Sequence, residues 1–300
     1  MSLDIVVMQA FNGLSLFTVL ALMALGLAIV FGLMGVINMA HGELMALGAY
    51  TTYLTAQIFE RYMPGWLGVY LLVAIVLAFG VTFVFGLALE RGFIRFLYNR
   101  PLDTMLATWG LSLVLQQVFR SLFGPREVGV PSPRWLSGAW QPTAGISIPL
   151  SRLFIIGLTV LVGLALYRLL YRTRWGLRIR AVMQNRAMSG AVGIDTARVD
   201  AMTFAIGSGL AGIAGSAFTM LASTGPVTGQ QYIVDTFIVV VFGGVESLLG
   251  TFISAFMIGQ MQSWLEFALT GSMAKATILL CVIVALYFRP AGLFALKVRR

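Results

Sequence analysis

The sequence predicts an all-α fold, a polytopic membrane bundle of about eight or nine transmembrane helices. Composition is the first reason: 59% of the 300 residues are hydrophobic, only 10% are charged, and the mean hydropathy is +0.92. A soluble domain carries about 25% charged residues, so this chain has too few to cover a water-exposed surface. The second reason is that the apolar residues form runs of about 20, the length of helix that crosses the hydrocarbon core.

Nine apolar runs are placed as spans in chain order. They are 9–35, 42–58, 66–89, 104–123, 152–171, 201–222, 232–249, 251–269 and 276–288. No basic region precedes the first run, so a secretory signal is not expected. The second run is short, and the seventh contains Gly243, Gly244 and Glu246. Either can be broken or re-entrant, which is tolerated only where irregular backbone is buried in protein or lines a cavity.

Basic residues concentrate in three breaks between the spans: 90–100, 172–198 and the C-terminus, with Lys297, Arg299 and Arg300. Loops rich in Lys and Arg stay in the cytoplasm, so the C-terminus is predicted on the cytoplasmic side of the membrane and the N-terminus outside. If the chain crosses the membrane eight times instead of nine, the N-terminus lies in the cytoplasm. The 124–151 loop, rich in Pro and Gly, is placed outside. Orientation explains the net charge of +9 better than nucleic-acid binding does.

Small residues recur every four positions in the sixth span. Close approach of small residues is how membrane helices associate without a hydrophobic driving force. The sixth span is therefore predicted to pack at the centre of the bundle. The residues concerned are Gly207, Ala211 and Gly215 on one face and Ser208, Gly212 and Ser216 on the next.

The basic stretch 172–198 contains apolar residues at roughly helical spacing, including Ile179, Val182 and Met183. This pattern predicts a short amphipathic helix over 179–193, ended by Gly193, because glycine reaches the left-handed conformation without steric cost. One interpretation is a positively charged loop that sets orientation. The other is a docking helix that receives force from a soluble partner. The whole chain, 1–300, is treated as a single transmembrane domain with this cytoplasmic loop at about 172–200.

Sites for catalysis are missing from the sequence. His41 is the only histidine, so neither a zinc HExxH site nor a Ser–His pair with a downstream histidine can form. No phosphate-binding GxxxxGK[ST] loop occurs. Cys281 is the only cysteine, which excludes an internal disulfide. The chain is therefore not expected to be an enzyme or to hold a metal or cofactor of its own.

Three polar groups lie in or beside the spans, where polar residues are costly and usually face the bundle interior. The first is NMAHGE, with Asn38, His41 and Glu43. Asn38 can simply cap a helix with Glu43 in its first turn. Alternatively, the group forms a polar gate at an interrupted helix. The second group lies near the start of the seventh span, where Asp235 either caps a helix or receives a substrate from outside.

The third group is a polar stripe along the fourth span. Its members are four residues apart and turn slowly around a helix: Thr104, Thr108, Ser112, Gln116 and Arg120. Five polar residues at this spacing predict that this face of the helix turns toward a polar pathway or another helix. Leu115 is predicted to face lipid. Trp109 flanks the stripe. The residues predicted to line a substrate path are Asn38, His41, Glu43, Thr108, Trp109, Ser112, Gln116 and Asp235.

Three long segments carry a family resemblance: VFGLMGVINMAHGELMALGAYTTYL, RTRWGLRIRAVMQNRAMSGAVGIDTARVDAMTFAIGSGLAGIAG and VVVFGGVESLLGTFISA. Together they resemble permeases of the branched-chain amino acid family of ABC importers, over nearly the whole chain. Two further segments, PLDTMLATWGLSLVLQQ and GPVTGQQYIVDTFIVVVFGGV, are more similar to the B-type permease subunit of the urea-transporter branch.

The resemblance implies a multi-subunit importer in a bacterial inner membrane. Two related permeases would form the path, two cytoplasmic ATPases would hydrolyse ATP, and an external binding protein would deliver the substrate. The 179–193 helix would couple the permease to an ATPase. Its predicted coupling residues are Arg180, Met183, Gln184, Asn185, Ala187, Gly190 and Gly193.

The similarity to the urea-transporter branch implies urea as the substrate. Its uncharged amide suits the Thr108–Ser112–Gln116 face, which offers no counter-charge. The alternative is a branched-chain amino acid. A zwitterion would need fixed partners for its ammonium and carboxylate, or the helix dipoles of a broken helix. Two other classes fit less well: a passive channel needs no docking helix, and an intramembrane hydrolase needs more than His41 alone.

Overall fold

The computed structural model describes residues 3–98, 100–143, 146–245 and 247–294. Glu246 and the terminal basic residues Lys297, Arg299 and Arg300 lie outside the described residues.

Within those residues the chain forms eleven α-helices and one β-hairpin. The helices are α1 (Leu3–Leu27), α2 (His41–Tyr62), α3 (Tyr70–Gly92), α4 (Pro101–Phe123), α5 (Leu150–Arg172), α6 (Arg174–Gln184), α7 (Arg186–Ala191), α8 (Thr196–Phe218), α9 (Thr228–Gly243), α10 (Leu248–Ala268) and α11 (Gly271–Phe288). A π-helical turn, Ala28–Leu33, continues α1. Strands β1 (Ala139–Thr143) and β2 (Ile146–Pro149) are antiparallel, with Trp140 opposite Ile148.

The nine predicted spans correspond to the nine helices of 16 residues or more in the described part of the chain. Five of these are long and apolar enough to cross a membrane by length and hydropathy: α1 with its π-turn, α3, α5, α8 and α11. The prediction of an all-α polytopic bundle is thereby confirmed. The β-hairpin was not predicted, because Pro and Gly in the 124–151 segment favour a loop over strands.

Contacts define the two ends of the bundle. At one end, which we call the hairpin side, Tyr70 at the start of α3 donates to the carbonyl of Pro131, and Trp135 donates to the carbonyl of Gly68. At the other end, which we call the basic side, Arg180 of α6 packs on Tyr171 at the end of α5. Successive long helices run in alternating directions between these two ends.

The apolar core lies on both sides of α1. One cluster joins α1 to α5 and α8, and Leu22, Ile155 and Leu166 are among its buried members. A second cluster joins the opposite face of α1 to α9, α10 and α11, for example through Phe17 and Ile258. Burial on two faces explains why α1 is hydrophobic all round.

Helix α8 lies at the centre of the bundle, as its small residues predict. A Cβ added to Gly215 would lie 1.9 Å from the carbonyl oxygen of Met45 on α2, and one added to Gly212 would lie 2.6 Å from the carbonyl oxygen of Ala78 on α3. Real Cβ atoms are not found this close to backbone. The glycines therefore set the distance between α8 and both neighbouring helices.

We expect Gly215→Ala to destabilise the protein by about 1–3 kcal/mol, because an added methyl must push α2 away from α8. Gly80→Ala is the matched control, since a Cβ there meets nothing within 4 Å. Removing a helical glycine at an open position should stabilise by about 0.5–1 kcal/mol. Thermal unfolding in detergent measures both variants. Equal unfolding midpoints would contradict the packing role of Gly215.

Candidate functional site

The chain is broken between α1 and α2 inside the bundle. The π-turn ends at Leu33, Gly35 adopts a positive φ of 67°, and α2 begins only at His41. His41 is fully buried, with its Nε2 3.3 Å from the carbonyl oxygen of Met23 in α1. The first turn of α2 therefore packs beside α1 and not beyond its end. The break predicted for the second span lies immediately before that span.

Polar side chains accept hydrogen bonds from backbone N–H groups in the segment between α1 and α2. The N–H of Met39 donates to Thr108 Oγ1 of α4 at 3.0 Å. The N–H of Ala40 donates to Asn38 Oδ1, also at 3.0 Å, within the turn that precedes the helix. Ala40 is the N-cap of α2 and no side chain caps it, so Asn38 does not make the capping interaction considered from the sequence. Non-helical backbone at this depth needs such partners, because no water replaces them in hydrocarbon.

A buried carboxylate joins α2 to α4. Glu43 Oε1 accepts hydrogen bonds from Ser112 Oγ and Gln116 Nε2, both at 3.0 Å. All three side chains are buried, and Glu43 is only 1% exposed. Together with Asn38, His41 and Thr108 they form what we call the polar cluster. Five of the eight residues predicted to line a substrate path thus lie in or beside the contact with α4, whereas His41 faces Met23 of α1.

The polar stripe of α4 faces α2, and four of its five predicted members are buried: Thr104, Thr108, Ser112 and Gln116. Arg120, the fifth, is exposed. Leu115 was expected to face lipid, and this is wrong: it is buried in a cluster with Tyr50 and Phe119, because the stripe is narrower than the buried face of α4.

Two residues predicted to line the path lie away from the polar cluster. Trp109 is 50% exposed on the outer face of α4. Asp235 of α9 makes an ion pair with Lys275 of α11, with 2.7 Å between Oδ2 and Nζ. This pairing joins two helices, a role that the sequence spacing did not indicate.

Polar atoms of the cluster remain available for further hydrogen bonds. Asn38 Nδ2, His41 Nδ1 and Glu43 Oε2 are buried and have no protein partner within the described residues. Leaving such atoms unpaired costs about 1–3 kcal/mol each, so the cluster is suited to bind a group that supplies both donors and acceptors.

On the basic side, the predicted helix over 179–193 is two helices. Asn185 has extended backbone (φ −155°, ψ 99°) and separates α6 from α7. Its side-chain oxygen accepts from the N–H of Met188 at 2.9 Å, so this asparagine starts a new helix where the sequence pattern predicts continuity. Gly193 has φ 86° and terminates the segment, as predicted.

Most of the predicted coupling residues form one exposed surface, which we call the α6–α7 surface. Arg180 and Met183 are partly buried, and Arg180 anchors α6 by donating to the carbonyl of Leu170. A Cβ added at Gly190 would meet nothing within 4 Å. The exposed members are Gln184, Asn185, Ala187, Gly190 and Gly193.

Sequence reasoning missed a charged network beneath this surface. Arg186, the first residue of α7, pairs with Asp200 of α8 and lies 5.3 Å from the ring centroid of Tyr98. Tyr98 donates to Glu90 of α3 at 2.6 Å. Burial, together with this hydrogen bond, raises the pKa of Tyr98, so the phenol stays protonated and keeps donating. The sequence contained a signal for this network, because Glu90 and Asp200 are acids beside apolar spans, where ionisable residues usually pair with another group.

Comparisons with known proteins cover nearly the whole chain. A family described as "Branched-chain amino acid transport system / permease component" matches residues 9–286. The high-affinity branched-chain amino acid transport system permease protein LivH of Escherichia coli is 29% identical over 293 residues, covering 95% of this chain and 94% of LivH.

Two further relatives extend the comparison. The corresponding permease BraD of Pseudomonas aeruginosa is 27% identical over 289 residues, covering 95% of this chain and 94% of BraD. The ribose import permease RbsC of Escherichia coli is 26% identical, covering 91% of this chain and 84% of RbsC. No solved structure matches at a significant level.

We expect Thr108→Val to lower stability by about 1–3 kcal/mol, because it leaves the buried N–H of Met39 without its acceptor. Thr277→Val is the control: its hydroxyl is exposed and donates only to its own helix, at the carbonyl of Met273. Thermal unfolding of the two purified variants in the same detergent gives the comparison. A similar small change in both would show that Thr108 does not hold the break.

Proposed function

The chain belongs to the branched-chain amino acid permease family of ABC importers, and from that premise we propose that it carries leucine, isoleucine and valine across the cell membrane. The observation that supports this substrate is the match to LivH and BraD over 95% of the chain. Neither relative is described as a urea permease, so the expected urea specificity is not supported and the alternative fits better. ATP hydrolysis lies with partner subunits of such importers, and the permease itself is not an enzyme.

The polar cluster is the proposed lining of the path at the level of the α1–α2 break. An amino acid gives up water hydrogen bonds on entering the membrane and needs both donors and acceptors in exchange. Glu43, Ser112, Gln116 and the free polar atoms of Asn38 and His41 offer them. Because these side chains are buried, the path is shut at this level in the present conformation.

The basic side is the proposed cytoplasmic side, because loops rich in Lys and Arg stay in the cytoplasm, and α11 ends on that side. The α6–α7 surface then faces the ATPases, and the hairpin side faces the external binding protein. The proposed complex holds a second homologous permease and two ATPases. In this arrangement residues 1–300 act as one transmembrane domain, with its coupling loop at about 172–200.

The network below α7 is the proposed route from the ATPases to the path. Movement of α7 acts on Arg186, which contacts Asp200 on α8 and the ring of Tyr98. Tyr98 precedes α4 in the chain. Helix α4 carries Thr108, whose hydroxyl accepts a hydrogen bond from Met39 in the segment between α1 and α2. A tilt of α4 would therefore change the polar cluster directly.

Cells that express the chain with its partner subunits should accumulate labelled leucine. Unlabelled isoleucine and valine should reduce the uptake, whereas a hundredfold excess of urea should leave it unchanged, because urea lacks both charged groups. ATP depletion should stop accumulation, which separates an importer from a passive channel. Accumulation of labelled urea that leucine does not inhibit would overturn the proposed substrate.

Gly190→Trp should uncouple ATP hydrolysis from transport. The substitution starts in open space, because a Cβ at Gly190 meets nothing within 4 Å, and the ring then obstructs a partner docked on the α6–α7 surface. We expect leucine uptake to fall at least tenfold with unchanged amounts of permease in the membrane. The control is Gly92→Trp, an exposed glycine on the same side with equally open surroundings. Normal uptake by Gly190→Trp, with normal ATPase stimulation, would exclude docking there.

A further inference from the structure

A cavity of about 610 Å³ lies between the helices on the hairpin side, and none of the residues that line it belongs to the polar cluster. It is bordered by residues 9–19 of α1, the first turn of α5, the end of α8 with the residues just after it, Tyr232 of α9 and the last turns of α10. Its volume falls in the range of about 300–1,000 Å³ that is usual for small-molecule sites. The sequence analysis did not identify it, because its walls come from distant parts of the chain.

The cavity contains one cation and one anion on different helices. Arg152 of α5 and Glu266 of α10 both line it. Arg152 Nη1 donates to Asn12 Oδ1 at 2.6 Å, and Glu266 Oε1 accepts from Gln262 Nε2 at 2.8 Å. Neither side chain belongs to an ion pair in the described residues, whose three salt bridges involve other groups. Both charges are therefore oriented by neutral partners and are not neutralised.

One face of α1, with Gln9 and Asn12 three residues apart, lines the cavity beside both charged groups. Asn12 of α1 holds Arg152, while Gln9 of α1 accepts a hydrogen bond of 2.8 Å from Ser263, one turn before Glu266. The cavity between them also has apolar walls, formed by Leu16, Val19, Phe218, Leu221 and Phe267. Opposite charges at fixed positions beside an apolar wall match the chemistry of an aliphatic amino acid.

We infer that this cavity is an amino-acid subsite of the permease, in which Arg152 binds the carboxylate and Glu266 the ammonium of the substrate. The aliphatic side chain lies against Val19, Leu221 and Phe218. The inference rests on the proposed function for its substrate class. A neutral solute such as urea or a sugar would leave both charges without a counter-charge, whereas a zwitterion satisfies the two at once.

Site-directed protection tests this subsite without the binding protein. In a Cys281→Ala background, Ala222→Cys places this chain's only thiol on the exposed rim of the cavity. The maleimide labelling rate of this chain, resolved from the partner subunits on a gel, is measured in the purified importer. Leucine should slow labelling. Leucinamide, which lacks the carboxylate, and 4-methylpentanoate, which lacks the ammonium, should require at least about tenfold higher concentration, equal to ~1.4 kcal/mol of lost binding.

Substitutions then assign the two ends of the substrate. Arg152→Gln should remove the advantage of leucine over leucinamide, and Glu266→Gln should remove its advantage over 4-methylpentanoate. Arg134→Gln and Glu60→Gln, exposed charges on the same side, are controls and should retain both advantages.

The outcomes separate this inference from the proposed function. Normal leucine uptake with no protection by leucine would overturn the subsite and leave the importer assignment intact. Protection by leucine in an importer that does not transport it would support the subsite and refute the assignment. If the two charge variants only weaken ATPase stimulation by the binding protein, with protection absent in every variant, the charges serve docking and the inference fails.

Discussion

The structure depends on one constraint: the chain leaves the α-helical path between α1 and α2 in the interior of a membrane bundle. Backbone groups at that depth cannot turn to water, so they need protein partners. Thr108 provides one, Asn38 another, and Glu43 joins the first turn of α2 to Ser112 on α4. The polar face of α4 therefore supplies hydrogen-bond partners at the interruption between α1 and α2. The same interruption exposes the polar atoms on which a transport role rests.

Small residues make this arrangement sterically possible. Gly26 of α1 lies against the carbonyl of Gly207, and Gly42 of α2 lies against that of Gly229 at the start of α9, so four backbones meet around the break without intervening side chains. Helices packed this closely respond together when one is displaced, because a tightly packed interior has few intermediate arrangements. The contact of α7 with α8 and Tyr98 therefore acts on a compact, stiff set of helices.

Most of the fold was predictable from the sequence, because apolar runs and basic breaks follow from the physics of the bilayer. The buried face of α4 was also predictable from its polar residues, four apart. The hydrogen bond between Glu43 and Gln116 was not predictable. Periodicity identifies which face of a helix is buried, but it does not fix how two helices align along their axes. The break at Asn185 was hidden by a continuous apolar pattern, and a local side-chain cap decided it. Arg152 and Glu266 gave no signal, because each is an ordinary charge near the end of a span until tertiary packing brings them to one cavity.

The two polar regions also differ in a way that suits transport. At the hairpin side, the charges of Arg152 and Glu266 are partly open to solvent, where screening makes each contact weak. In the polar cluster the partners are uncharged amides and hydroxyls around one buried carboxylate. A permease that receives its substrate from a binding protein needs neither region to bind tightly, since a deep well along the path would slow release. Conduction requires sites that are favourable enough to enter and weak enough to leave. Hydrated charges followed by a compact lining of amides and hydroxyls around Glu43 meet both conditions.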